Sequence, residues 1–198
     1  WVLGETLITG IGQGYTQTTP IQLCLMTAQI ANGGYKIKPK ILTDDNQLTS
    51  EQVKKAMQNE DGKNYYQPLF EDFNNIKIIQ KAMFSSTNEV MGTSYKSRID
   101  NPKYQFAGKT GTAQVKRISK RERELDLKTS QIPYKERDHA LYVAFGPYKN
   151  PRYSLSIIVE HGGSGSSTAA PMANKLFRLI IDRHEYRKKI KDYKEFDI

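Results

Sequence analysis

The sequence predicts a mixed α/β (α+β) domain in which helices flank an antiparallel sheet. Three segments rich in β-forming residues, 104–115, 140–148 and 153–161, lie in the second half of the chain. The last two are joined only by residues 147–151, and a link this short typically joins antiparallel strands. Apolar residues at helical spacing precede and follow these segments, and 198 residues suffice to bury one core.

The first predicted helix spans residues 20–31. Thr18 and Thr19 are candidate N-caps, and Pro20 fits the first helical position. Residues 32–34, Asn-Gly-Gly, end the helix because glycine accepts the left-handed conformation that follows a helix.

The region after this helix is predicted to be peripheral. Residues 35–42 alternate like a short exposed strand, and residues 43–68 read as a polar surface excursion with a short helix at residues 50–59. A second core helix is predicted from Glu71 onward, because apolar residues recur there at helical spacing: Phe73, Ile76, Ile79, Met83 and Phe84.

The segments around the sheet differ in character. Residues 117–138 are long and charged, and we expect them to be mobile or to form a partner surface. A Gly- and Ser-rich loop at residues 162–168 leads to a final helix over residues 169–182 that covers the sheet. The predicted organisation is one domain at residues 1–182 and a charged tail at 183–198 that extends the helix or frays.

Composition leaves several partner classes open. The net charge of +9 permits nucleic acid, an anionic lipid surface or an acidic substrate, but acids interleave the basic stretches 116–123 and 183–194, as on a solvated face. Cys24 has no disulfide partner in this chain and is predicted to be a buried thiol. No apolar run reaches membrane-spanning length, and residues 1–4 read as mid-domain sequence, which indicates a fragment.

The glycines and histidines of this sequence do not have the spacing of common phosphate-, dinucleotide- or metal-binding motifs. A phosphate loop built on Gly108 and Lys109 would need glycine at position 103, which is Lys103. Glycines 10, 12 and 14 do not have dinucleotide-binding spacing, and the three histidines at 139, 161 and 184 are scattered along the sequence. No cofactor or metal is therefore predicted.

The Lys-Thr-Gly-Thr stretch at residues 109–112 is the candidate site. It lies within an apolar β-like segment, where Lys109 and Gly111 weaken a strand unless another chain or a ligand approaches it closely. An ordinary edge strand with an outward-pointing lysine is the alternative reading of this stretch alone.

The wider sequence resembles the penicillin-binding proteins, most closely the elongation-specific branch called penicillin-binding protein 2. The resemblance covers nearly the whole chain, and its blocks occur in the order and spacing of the family: residues 1–6, 12–15, 19–23, 107–115, 138–141, 150–153 and 159–163. It implies a peptidoglycan D,D-transpeptidase fold with a five-stranded antiparallel sheet, of which this chain supplies the last three strands and the C-terminal helix.

The resemblance also implies roles for residues 109–112. Lys109 would place positive charge beside the nucleophile and the substrate carboxylate, and would join the proton-transfer network. Thr110 and Thr112 would offer hydroxyls to that carboxylate, and Gly111 would let the substrate lie along the strand as an added β-strand. The backbone N–H of Thr112 would form half of an oxyanion hole.

One feature of the family is missing from the sequence. Its nucleophile is a serine followed three residues later by lysine, and no serine here has that spacing; the nearest imitation runs from Thr93 to Lys96. The Ser-Thr-Asn triplet at residues 86–88 imitates a second family motif, but in the wrong order along the chain. We therefore predict that this chain alone neither cross-links peptidoglycan nor reacts with penicillin, and that its uncovered surfaces make it self-associate.

The implied partners are peptidoglycan stem peptides, β-lactam antibiotics, the upstream half of the transpeptidase domain and a cell-wall glycosyltransferase, with no nucleic acid. The implied location is the periplasmic face of the bacterial inner membrane. Two alternatives stay open at this point. One is a β-lactam sensor or β-lactamase-related domain, and the other is a basic α/β binding module without catalysis.

Overall fold

The computed structural model confirms the mixed α/β fold class. It describes residues 1–12, 14–39, 41, 67–116, 124, 127 and 129–194. The helices are α1 (Leu3–Gly10), α2 (Pro20–Ala31), α3 (Phe73–Asn88) and α4 (Ala170–Lys194), and the strands are β1 (Ala107–Ala113), β2 (His139–Gly146) and β3 (Tyr153–Val159). A turn of π-helix, Gly165–Ala169, precedes α4.

The three strands form one antiparallel sheet in the order β1-β2-β3. Strands β1 and β3 are shorter than their predicted segments, while β2 begins one residue earlier than predicted and ends two residues earlier. The short link between β2 and β3 does join antiparallel neighbours, as the sequence indicated. Because β2 is central, β1 is an edge strand within the described part of the chain.

The core lies between one face of the sheet and α4. Phe106, Tyr142 and Phe177 are fully buried there, and the rings of Phe106 and Phe177 stack with centroids 4.9 Å apart. Ala170 and Ala173 are also fully buried on α4, and such small side chains let the helix approach the sheet closely. On the opposite face, Met83, Ala107 and Phe145 form a second buried cluster against α2 and α3.

Helix α2 has the predicted start and end. The Thr19 side chain accepts a hydrogen bond from the Gln22 backbone, and the Gln22 side chain accepts one from the Thr19 backbone, which completes a capping box. An N-cap of this kind contributes about 1 kcal/mol. Helix α3 begins at Phe73, two residues after the predicted start, because Asp72 caps it by accepting from the Asn74 backbone.

The secondary structure differs from expectation in two places. Helix α1 was not predicted, and its eight residues bury none of their side chains. The strand predicted over residues 35–42 is not formed by residues 36–39, and Tyr35 makes only an isolated bridge with Pro68. The Asn32 side chain instead accepts from the backbones of Gly34 and Tyr35 and bends the chain.

Other expectations are partly resolved. Helix α4 continues to Lys194, so residues 183–194 of the charged tail extend the helix. Cys24 is half-buried rather than buried, with its Sγ 3.3 Å from the Oγ of Ser154 on β3. The short helix predicted over residues 50–59 and most of the predicted 43–68 excursion lie outside the described residues, as does part of the 117–138 connector. Within the described chain, no helix has the length and apolarity to cross a membrane.

Candidate functional site

The candidate site residues follow one another along the edge strand β1. Lys109 and Thr112 are exposed, while Thr110 and Gly111 are partly buried. Alternation along the strand places Thr110 and Thr112 on the face that carries the core residue Tyr142, and Lys109 and Gly111 on the opposite face. The Lys109 Nζ donates to the Thr110 carbonyl oxygen at 2.8 Å, so the ammonium group is held close to the strand.

Gly108 allows β1 to lie against a buried tyrosine. A Cβ at position 108 would lie 2.4 Å from the hydroxyl oxygen of Tyr142 and 2.5 Å from its Cζ. Real Cβ atoms do not approach other atoms this closely, so no residue with a side chain fits without moving the strand or the ring. Gly108 thus determines how closely β1, with Lys109 and Thr110, packs against Tyr142.

Gly111 is approached from its other side by the turn that precedes α4. A Cβ at Gly165 would lie 2.5 Å from the Leu141 carbonyl oxygen and 2.7 Å from the Gly111 carbonyl oxygen. Both contacts are with backbone atoms, which cannot rotate away. The turn at Gly165 therefore packs directly on the backbone of the candidate site, a contact that could not be predicted from the sequence.

A cluster of buried hydroxyl groups lies beneath β1. The Tyr142 hydroxyl is 2.9 Å from Thr87 Oγ1 and 3.0 Å from Ser94 Oγ, and all three residues are at most 1% exposed. Burial raises the pKa of the Tyr142 phenol, and its hydrogen bonds with Ser94 and Thr87 partly oppose that shift. The cluster ties α3 and the turn after it to the central strand.

Thr93 is a site neighbour that the sequence interpretation missed. Its Oγ1 lies 3.4 Å from Thr110 Oγ1 and 3.2 Å from Ser86 Oγ. The turn at residues 89–94 brings it there, since the Gly92 position lies against the end of α3, where a Cβ would be 2.4 Å from the Ser86 carbonyl oxygen. The only available signal was the glycine before Thr93.

The Ser-Thr-Asn triplet at residues 86–88 ends α3, as predicted. Thr87 belongs to the buried hydroxyl cluster, and Asn88 Nδ2 donates to the carbonyl oxygens of Phe84 and Phe106. The Asn88 bond to Phe106 fixes the chain immediately before β1. The triplet thus holds the start of β1 in place through hydrogen bonds.

The histidines are less scattered than the sequence suggested. The His161 backbone N–H donates to His139 Nδ1 at 2.9 Å, and the two rings lie edge to face with centroids 4.8 Å apart. His161 itself has a positive φ of 55° and its Nδ1 lies 3.0 Å from the Arg137 carbonyl oxygen. Even so, no group of three or more His, Cys, Asp or Glu side chains that could hold a metal ion is present among the described residues.

Comparison with known protein families gives a clear match. The family model "Penicillin binding protein transpeptidase domain" covers residues 1–178. This match includes the edge strand β1, the whole sheet and the first part of α4.

Individual proteins and solved structures similar to this chain belong to the same family. The chain is 34% identical over 189 residues to the peptidoglycan D,D-transpeptidase MrdA of Haemophilus influenzae, covering 92% of this chain and 27% of the relative. A crystal structure of Pseudomonas aeruginosa PBP2 in complex with WCK 5153 is 36% identical, with a TM-score of 0.63 over 90% of this chain and 33% of that chain. The complex of PBP2 and MreC from Helicobacter pylori matches at 32% identity and a TM-score of 0.61, over 90% of this chain and 28% of that chain. The chain therefore spans about a quarter to a third of the length of these proteins.

Proposed function

This chain belongs to the penicillin-binding protein transpeptidase family, in its PBP2 (MrdA) branch, and we propose that it forms the substrate-strand part of a peptidoglycan D,D-transpeptidase. The observation that carries the proposal is the position of the Lys-Thr-Gly-Thr sequence on β1, whose outer edge pairs with no other strand among the described residues. An open edge can accept an extended peptide through backbone hydrogen bonds.

In the proposed reaction a serine hydroxyl attacks the carbonyl carbon of the bond between the last two D-alanines of a stem peptide. The terminal D-alanine leaves, and the acyl group is passed to the amine of a neighbouring peptide, which forms the cross-link. Lys109 supplies positive charge beside the attacking serine and the substrate carboxylate, and the exposure of its side chain leaves it accessible to both.

Thr110, Gly111 and Thr112 hold the acyl donor. The two threonine hydroxyls donate to its terminal carboxylate, and Gly111 leaves room for its backbone along the strand. The backbone N–H of Thr112 stabilises the oxyanion of the tetrahedral intermediate. Losing one such donor typically costs about 3 to 4 kcal/mol of transition-state stabilisation.

The attacking serine is proposed to come from a segment upstream of this sequence in the full-length protein. Two facts support this: no serine here has a lysine three residues later, and the chain spans 27% of the H. influenzae relative. We infer that the isolated chain is inactive and that β1 meets the serine when the upstream half of the domain packs beside it.

The proposed partners follow from the same assignment. They are stem peptides and β-lactam antibiotics as acyl donors, and a cell-wall glycosyltransferase during cell elongation. The structure of a PBP2 relative has been solved in complex with MreC, so a protein similar to MreC is a further proposed partner. The proposed location is the periplasmic face of the inner membrane. The alternatives of a β-lactam sensor and a basic binding module receive no support from the MrdA relatives.

Labelling with a fluorescent penicillin tests the proposal. We expect the full-length protein to be labelled on its upstream serine, and this chain alone to remain unlabelled. In the full-length protein Lys109→Ala should lower the labelling rate by roughly 10- to 150-fold, the equivalent of a lost charge-assisted hydrogen bond of about 1.5–3 kcal/mol. Lys77→Ala removes an exposed lysine on α3 and serves as the matched control. Labelling of the isolated chain, or normal labelling of Lys109→Ala, would contradict the proposal.

A further inference from the structure

Three hydroxyl groups form an exposed row that ends at the candidate site. Ser86 Oγ lies 3.2 Å from Thr93 Oγ1, and Thr93 Oγ1 lies 3.4 Å from Thr110 Oγ1. Ser86 comes from the end of α3, Thr93 from the following turn and Thr110 from β1. The row therefore connects a helix end to the strand that is proposed to hold the substrate.

The exposed row runs beside the buried one. Ser86 and Thr93 are each followed in sequence by a member of the buried cluster, Thr87 and Ser94. Thr110 is likewise the register partner of the third buried member, Tyr142. Each of the three hydroxyls thus belongs to a residue whose neighbour, in sequence or across the sheet, makes a buried hydrogen bond. These buried bonds hold the backbone in place.

The anchoring is strong at Ser94, the neighbour of Thr93. Its backbone N–H and its Oγ both donate to the Ser86 carbonyl oxygen at 3.0 Å, and its Oγ also contacts Tyr142. The backbone of Thr93 is therefore fixed relative to Ser86. As a result the Thr93 hydroxyl is presented to Thr110 by a rigid support rather than by a freely moving loop.

The hydrogen bonds of the row affect the direction in which the Thr110 hydroxyl proton points. A hydroxyl carries one proton and can both donate and accept. If Ser86 donates to Thr93 and Thr93 donates to Thr110, the Thr110 proton is left to point away from the row. A hydroxyl that already accepts a hydrogen bond is also a better donor, because successive bonds polarise one another.

We propose that Thr93 is a positioning residue that orients the Thr110 hydroxyl as a donor to the carboxylate of the acyl donor. This rests on the proposed function, because it assigns a task to Thr110. Thr93 is not assigned as a nucleophile: its hydrogen bonds within the described chain are to the hydroxyls of Ser86 and Thr110, and neither can serve as its base. It acts through Thr110.

The expected kinetic signature separates this role from a purely structural one. The carboxylate is bound equally in the ground state and in the transition state, so Thr93 should affect binding rather than the chemical step. In the full-length protein, Thr93→Val should raise the apparent dissociation constant for benzylpenicillin about five- to tenfold, as for one lost hydrogen bond, with the acylation rate constant unchanged. Thr93→Ser keeps the hydroxyl and should bind within about twofold of the unmodified protein.

The measurement is competition between a fluorescent penicillin and either benzylpenicillin or its methyl ester, which lacks the carboxylate charge. We expect Thr93→Val to weaken binding of the acid and to leave binding of the ester unchanged. Equal losses for acid and ester, equal losses in the Val and Ser variants, or no loss at all would each overturn the assignment. Lys109→Ala separates the two proposals: if it slows acylation as expected while Thr93→Val behaves like the unmodified protein, only the role of Thr93 fails. If the unmodified full-length protein is not acylated, both proposals fail.

Discussion

The N-terminal region, residues 1–31, and the sheet region, residues 67–194, treat their apolar side chains differently. In the sheet region Phe106, Tyr142 and Phe177 are fully buried. In the N-terminal region only Thr27 is buried among the described residues, and the apolar side chains of α1 are largely exposed, including Leu3 at 77% and Leu7 at 67%. The sheet region thus builds its own core, whereas α1 leaves its apolar groups uncovered and α2 packs on the sheet with groups such as Ile30 only partly buried.

This difference shows which part of the chain depends on other protein surface. The family match runs from residue 1 to residue 178 and therefore includes α1 as well as the whole sheet. We expect the exposed side chains of α1 to be covered in the full-length protein. The self-association expected from the sequence stays a prediction, and α1 is the surface that favours it.

The largest expected effect comes from comparing two side-chain truncations, one in each region, by their effect on the free energy of unfolding. Phe177→Ala removes a ring that is fully buried against Phe106, and should lower the free energy of unfolding by about 3–5 kcal/mol. Leu7→Ala should change it by less than about 0.5 kcal/mol, because its side chain is exposed. Urea denaturation of the 198-residue chain measures both. A cost above 2 kcal/mol for Leu7→Ala would mean that α1 is covered within this chain.

A smaller effect tests the buried hydroxyl cluster in the sheet region. Tyr142→Phe removes one buried hydrogen-bond donor and should cost about 1 kcal/mol at neutral pH. Burial raises the pKa of Tyr142 above its usual value of 10.0, so folding favours the protonated phenol. The stability that this group contributes is full below pH 10 and is lost as the pH rises beyond it.

The pH dependence distinguishes this effect from simple loss of packing. Denaturation of both proteins between pH 8 and about 11 should show the stability difference shrinking above about pH 10. A difference that stays constant across this range would show that the phenol proton contributes nothing. The other tyrosines are common to both proteins and cancel.

The smallest effect is expected at the surface of α4. Asp182 accepts from Tyr104 and Lys103, and these hydrogen bonds lower the pKa of its carboxyl group. Stability from this group is therefore present above about pH 4 and is lost as the pH falls through the lowered pKa. Asp182→Asn should lower the Tm slightly at pH 7, and this difference should shrink as the pH falls below about 4. An equal shift at every pH would assign the effect to packing instead of charge.

Much of the fold followed from local chemistry in the sequence. The cap at Thr19 and Pro20 predicted α2, and the short link after β2 predicted an antiparallel sheet. The choice of β1 as the candidate site stays a prediction, which rests on a lysine and a glycine that are unusual inside a predicted β segment. These features are encoded by neighbouring residues and need no knowledge of distant contacts.

The missed features depend on contacts between distant residues. Thr93 reaches Thr110 only because Gly92 lets the turn close over the end of α3, and Gly165 approaches Gly111 only when α4 packs on the sheet. The histidines at 139 and 161 are far apart in sequence and meet because β2 and β3 are antiparallel neighbours. Periodicity and spacing along the chain do not indicate such long-range contacts.

The contact between Gly108 and Tyr142 has a consequence for how the edge strand finds its alignment. Strand β1 is made of small and polar residues, and strands of this kind specify their pairing weakly and are prone to slip. A slip of one or two residues in either direction would place a side chain where Gly108 now faces the phenol, and none fits there. The tyrosine thus rejects these misaligned pairings, so that Lys109 arrives at one position along the sheet edge each time the protein folds.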